Sequence, residues 1–74
     1  MVKHIKLSSA EDLRVFMNLA WHTDSDIGVH TTEGQIADAK SILGLIALDY
    51  SKPVMVVTED ESFFDKIKKW TVEE

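Results

Sequence analysis

The sequence predicts an α+β open-faced sandwich, in which three helices cover one face of a four-stranded antiparallel sheet. Apolar residues alternate in some segments, as in half-buried strands, and recur every three or four residues in others, as in amphipathic helices. Short turn signals separate these segments in the order β-α-β-β-α-β-α, which is typical of this class. With 74 residues, one domain spanning 1–74 accounts for the sequence.

The first two elements are a strand and a long helix. Val2–Leu7 alternates, with Ile5 and Leu7 on the face predicted to be buried. Ser8 and Glu11 have the spacing of a capping box, which predicts a helix from there to about His22. Its core stripe has helical spacing and comprises Leu13, Phe16, Met17 and Ala20.

A β-hairpin is predicted next. Asp26–Thr31 reads as a strand and Gln35–Ala39 as its partner, joined by a turn in which Gly34 can take positive φ. The face of the sheet without helices is predicted to be polar, because His4, Lys6 and His30 occupy alternate strand positions.

The second half of the chain supplies a short helix, a strand and a final helix. Lys40–Leu48 is apolar nearly all round, with Ser41 as its cap, and Pro53–Val57 is predicted as the fourth strand. Thr58 is predicted to cap the last helix, whose apolar stripe comprises Phe63, Phe64, Ile67 and Trp70. Trp21 and Trp70 are expected at the edges of the core.

Composition excludes several classes of function. Eight basic and thirteen acidic residues give a net charge of −5, which argues against a nucleic-acid partner. Without cysteine there is no thiolate metal site, and no apolar run approaches the eighteen or so residues of a membrane span. We therefore expect a cytoplasmic domain with no cofactor and no membrane partner. The nearby His22, Asp24, Asp26 and His30 are interpreted as solvated side chains rather than a metal site.

The segment Asp38–Leu45, read DAKSILGL, follows Gly34 by a few residues and resembles HPr, the histidine-containing phosphocarrier of the sugar phosphotransferase system. In that family a hairpin glycine precedes a Lys-Ser-Ile-Met-Gly-type segment that opens the second helix. The predicted order of elements is also similar. The resemblance covers about two thirds of the chain, and only Lys40–Gly44 is specific.

The family's phosphorylatable histidine does not carry over. It lies where a loop enters the first helix, in a Gly-x-His-Ala-Arg-Pro segment. Ser9 occupies the histidine's place in this sequence and Glu11 the arginine's, and a carboxylate would repel a phosphoryl group. We therefore expect that the protein has no phosphocarrier activity and is not an enzyme.

The resemblance instead implies a regulatory or protein-docking module. Ser41 matches the serine that a dedicated kinase phosphorylates in some HPr proteins, and a kinase or a transcriptional regulator is the implied partner. The expected docking patch comprises Lys40, Ile42, Leu43, Gly44, Val15 and Leu19. The alternatives are that Ser41 is only a helix cap and that the apolar run from Ile42 to Leu48 is core.

Two other functions stay open at this point. The chain could be a phosphocarrier that uses a different histidine, His4, His22 or His30. It could also be a small interaction domain unrelated to sugar transport, because a fold does not determine a function.

Overall fold

The structure is a computed structural model that describes residues 1–72, and its elements follow the predicted order. The four strands are β1 (Val2–Ile5), β2 (Gly28–His30), β3 (Ile36–Asp38) and β4 (Val54–Val57). The helices are α1 (Ala10–Trp21), α2 (Ile42–Ile46) and α3 (Glu61–Lys66), followed by one 3₁₀ turn at Lys68–Trp70. The predicted open-faced sandwich is confirmed, although each strand is shorter than predicted and the last helix breaks at Ile67.

The strands form one antiparallel sheet in the order β1-β4-β2-β3. The β4 strand therefore pairs with both β1 and β2, and β2 and β3 form the predicted hairpin. Gly34 has a φ of 91° in the hairpin turn, as predicted. The turn is closed by a hydrogen bond of 2.9 Å from the Thr31 amide to the Gln35 carbonyl.

One hydrophobic core lies between the sheet and the helices. Its strand residues alternate with outward-facing ones, so that Val54 and Val56 are buried while Met55 and Val57 are only half-buried. Phe16 of α1 lies at its centre, with its ring 5.9 Å from that of Phe63, in an edge-to-face arrangement. The stripe predicted for the last helix is buried, namely Phe63, Phe64, Ile67 and Trp70.

Two helix caps differ from the prediction. Ser9, not Ser8, caps α1, and its hydroxyl accepts a hydrogen bond of 3.1 Å from the Asp12 amide. Asp12 rather than Glu11 reaches back, accepting a hydrogen bond from the Ser8 amide. Asp60, not Thr58, caps α3. Because serine, threonine and aspartate all cap well and adjoin one another here, the sequence could not place either boundary to one residue.

The outer face of the sheet is less polar than predicted. It consists of Val2 and His4 from β1, Gly28 and His30 from β2, Ile36 and Asp38 from β3, and Met55 and Val57 from β4. The two histidines are there as expected, whereas Lys6 lies beyond the end of β1. The central strand β4 lowers the polarity of this face, because it alternates and places the apolar Met55 and Val57 outward.

Candidate protein-docking surface

The short helix α2 exposes most of its apolar side chains. Leu45 is fully buried, whereas Ile42, Leu43 and Ile46 are 57%, 82% and 58% exposed. A five-residue helix makes little more than one turn, so it can bury only the side chain that points at the sheet. The Ile42–Leu48 segment is therefore core at Leu45 and Leu48, and its large side chains at Ile42, Leu43 and Ile46 are on the surface.

Gly44 and Ser41 hold α2 close to β3. The Ser41 hydroxyl caps the helix by accepting a hydrogen bond of 3.3 Å from the Gly44 amide, as predicted. A Cβ at Gly44 would lie 3.1 Å from that hydroxyl and 3.4 Å from the Cβ of Ala37. The glycine thus lets the cap and the strand approach the same point of the helix.

A groove of about 270 Å³ separates α2 from the second half of α1. Met17, Trp21 and Ile42 contribute apolar side chains to it, and Arg14 and Lys40 bring the two cationic ones. Trp21 is 63% exposed, so the expectation that it lies at the edge of the core was wrong. The sequence contained a signal for this groove, because Trp21 follows Met17 by four residues and both therefore lie on the same side of α1.

The structure does not bring Val15 and Leu19 to this groove. Both side chains are half-buried and pack against the core. At about 100° per residue they lie about 100–160° around α1 from Arg14 and Trp21. Gly44 was also wrongly expected in the patch, because it lies on the side of α2 that faces Ala37 of β3. We therefore define the α1–α2 surface as Trp21, Ile42, Leu43 and Ile46, with Lys40 beside it.

Among the residues that the structure describes, no histidine lines the corner before α1. A shallow cavity there is lined by Lys6, Leu7, Ser8, Ser9, Ala10, Leu13, Tyr50 and Ser51. Glu11 forms an exposed ion pair with Arg14 on the helix surface. The Lys6 ammonium donates a hydrogen bond of 2.9 Å to the Tyr50 carbonyl. Ser9 and Glu11 therefore have structural partners at the place where the HPr resemblance puts its phosphorylated group.

The three histidines lie elsewhere. His4 is in β1 and His30 is in β2, both on the outer face of the sheet. His22 is the C-cap of α1, and a ring nitrogen lies 2.8 Å from the Asn18 carbonyl. The C-terminal end of a helix carries partial negative charge, which disfavours a phosphoryl group at His22.

Tyr50 fixes the inner side of α2. Its phenol donates a hydrogen bond of 2.5 Å to the carbonyl of Leu45, the buried residue of that helix. Partial burial disfavours the charged phenolate and raises the pKa of Tyr50 to about 12. The helix that displays the exposed residues is thus tied to the body of the domain.

Within residues 1–72, no three His, Cys, Asp or Glu side chains cluster in a way that could hold a metal ion. Among the helices of this described part, none has both the length and the apolar character to cross a membrane. Comparison with known proteins finds no matching family, no matching curated protein and no matching solved structure.

Proposed function

We propose that this domain is a non-enzymatic, HPr-like docking module of the cytoplasm that binds a protein partner through the α1–α2 surface. The observation that carries the proposal is the exposure of four large apolar side chains, Trp21, Ile42, Leu43 and Ile46, on two successive helices. Single exposed apolar residues are ordinary, but a cluster beside a groove is a feature of interaction sites. The Lys40–Gly44 resemblance and the order of elements support the family.

The chemistry of the surface suggests what a partner presents. Exposed tryptophan and aliphatic side chains gain free energy when a partner removes them from water, at about 25 cal/mol per Å² of apolar surface. Tryptophan is also enriched among residues that dominate binding. Lys40 borders the groove in a chain of net charge −5, so a partner with an apolar centre and a carboxylate at its rim fits best.

Site-specific photo-crosslinking in extracts of the source cells tests the docking proposal. A photoreactive amino acid replaces Leu43 in one variant and Ile36, an exposed residue of the outer face, in the matched control. We expect Leu43 to give a discrete crosslinked species that excess unlabelled domain abolishes and excess Leu43→Ser does not. Crosslinking from Ile36 alone, or competition by both proteins equally, would contradict the proposal.

Phosphorylation of Ser41 is the proposed switch within this function. The side chain is exposed, adjoins Ile42 and matches the family's regulatory serine. A phosphate would add about −1.5 to −2 charge beside Ile42 and Leu43 and would replace the cap to Gly44. Docking of an apolar partner would then weaken, whereas a partner with basic side chains at its rim would bind more tightly.

An HPr kinase with ATP, followed by intact-mass measurement, tests the switch. We expect a mass gain of one phosphate on the wild type and none on Ser41→Ala. No gain on the wild type would remove the switch but not the docking surface. A Leu43-dependent crosslink without phosphorylation would favour an interaction domain unrelated to sugar transport.

A further inference from the structure

The sheet brings three metal-binding side chains into one row, although they are far apart in sequence. Met55 of β4 is directly opposite His4 of β1 on one side and His30 of β2 on the other. Directly paired residues of antiparallel strands point to the same face, with Cβ atoms about 4.5–5.5 Å apart. The Met55 Cβ therefore lies between the Cβ atoms of the two histidines on the outer face of the sheet.

We propose that the row His4–Met55–His30 binds a soft monovalent metal ion, Cu(I), through two imidazole nitrogens and the thioether sulfur. Thioether sulfur is a soft ligand that selects Cu(I), and imidazole also suits copper. Hard divalent ions such as Mg²⁺ and Ca²⁺ prefer oxygen ligands, which the row lacks. Three neutral ligands leave the site with a single positive charge, in a chain whose net charge is −5.

The surroundings of the row allow the approach of an ion. The three side chains are half-buried rather than enclosed. Asp38 is the one carboxylate or ammonium side chain among the eight outer-face positions, and it lies opposite Gly28 rather than in the row. None of the eight outer-face positions therefore places a carboxylate or an ammonium group within the row.

Binding requires a rearrangement of His30. Its Nε2 lies over the neighbouring Gly28, where a Cβ would be 3.6 Å away. Coordination therefore requires the ring to rotate to another staggered position, away from Gly28 and toward Met55. His4 already has an interaction of its own in this structure, which the ion has to displace or share.

Two pairs of matched variants test the site. Met55→Leu removes the sulfur with little change of volume, and Met17→Leu does the same on α1, far from the row. His30→Gln removes one imidazole, and His22→Gln is its control at the end of α1. Circular dichroism of each variant establishes that it is folded before metal is added.

Cu(I), kept reduced with ascorbate under anaerobic conditions, is titrated against the chromogenic chelator bicinchoninate. We expect one ion per chain and a loss of affinity of at least about tenfold in Met55→Leu and His30→Gln, since loss even of a partner to a ligand costs about 10–100-fold. The Met17→Leu and His22→Gln controls should match the wild type. Unchanged affinity in Met55→Leu, or Zn²⁺ bound as tightly as Cu(I), would overturn the proposal.

Methionine methyl NMR gives an independent readout. The chain has three methionines, so three methyl signals are expected. Cu(I) should shift the signal of Met55 and leave that of Met17 in place. A shift confined to Met1, or no shift at all, would show that the row is not the site. The result is independent of the docking proposal, which concerns the other side of the domain.

Discussion

Trp21 of α1 and Ile42 of α2 line the same groove, and both side chains are more than half exposed. The β2–β3 hairpin separates them in sequence and brings them together in space. Trp21 and Ile42 therefore belong to one surface and are not two separate exposed residues. Because these side chains are exposed, the proposed docking surface can be altered without disturbing the core beneath it.

Leu43→Ser should leave stability nearly unchanged while it impairs docking. The side chain is 82% exposed, and substitutions at such positions change the free energy of unfolding by about 0.5 kcal/mol or less. Urea unfolding monitored by circular dichroism measures this. A loss of several kcal/mol would mean that Leu43 is packed in solution and is not part of an open surface.

Phe16→Ala, in contrast, should strongly lower the free energy of unfolding. The Phe16 ring contacts those of Phe63 and Trp70 at centroid distances of 5.9 and 6.2 Å, so its removal leaves a cavity at the centre of the core. We expect a loss of about 3–5 kcal/mol, a large part of the stability of a domain of this size. The thermal unfolding midpoint of Phe16→Ala is compared with that of Leu43→Ala, which truncates an exposed apolar side chain instead of a buried one. Equal midpoints for the two variants would be inconsistent with this core.

Ser41 and Gly44 should be energetically coupled. Ser41→Ala removes the cap of α2 and is expected to cost about 1 kcal/mol. Gly44→Ala gains helix propensity but places a Cβ 3.1 Å from the Ser41 hydroxyl. The glycine substitution should therefore be more favourable in the Ser41→Ala background, by at least about 0.5 kcal/mol. Urea unfolding of the four proteins of this double-mutant cycle measures the coupling, and additive effects would argue against the close approach.

Tyr50 should make the domain less stable in alkali. Burial raises the pKa of Tyr50 from its ordinary value of 10.0 to about 12 in the folded state. The unfolded chain therefore loses the phenol proton first, so this contribution to stability is complete below pH 10 and declines as the pH rises toward 12. Tyr50→Phe should abolish this part of the pH dependence.

Absorbance of the phenolate follows the titration directly, because the chain has one tyrosine. Wild type in urea should titrate near the ordinary value, and folded wild type well above it. Coincident midpoints would show that the Tyr50 phenol is not buried in the folded domain.

Local signals predicted most of the fold. The turn at Gly34, the cap at Ser41 and the core stripe through Phe16 each depend on a few neighbouring residues. The row that Met55 forms with His4 and His30 depends on pairing between strands that are distant in sequence, which no local pattern contains. The position of Trp21 beside Ile42 depends similarly on how α1 and α2 pack in the fold. The expected patch therefore contained exposed residues of α2, Ile42 and Leu43, but half-buried residues of α1, Val15 and Leu19.

The central claim is that docking occurs at the α1–α2 surface and not on the outer face of the sheet. The most direct test is the dissociation constant of the crosslinked partner for wild type, Leu43→Ser and Ile36→Ser, all verified as folded. We expect Leu43→Ser to weaken binding by about tenfold, or 1.4 kcal/mol, and Ile36→Ser to match the wild type. Weaker binding by Ile36→Ser together with unchanged binding by Leu43→Ser would contradict the account.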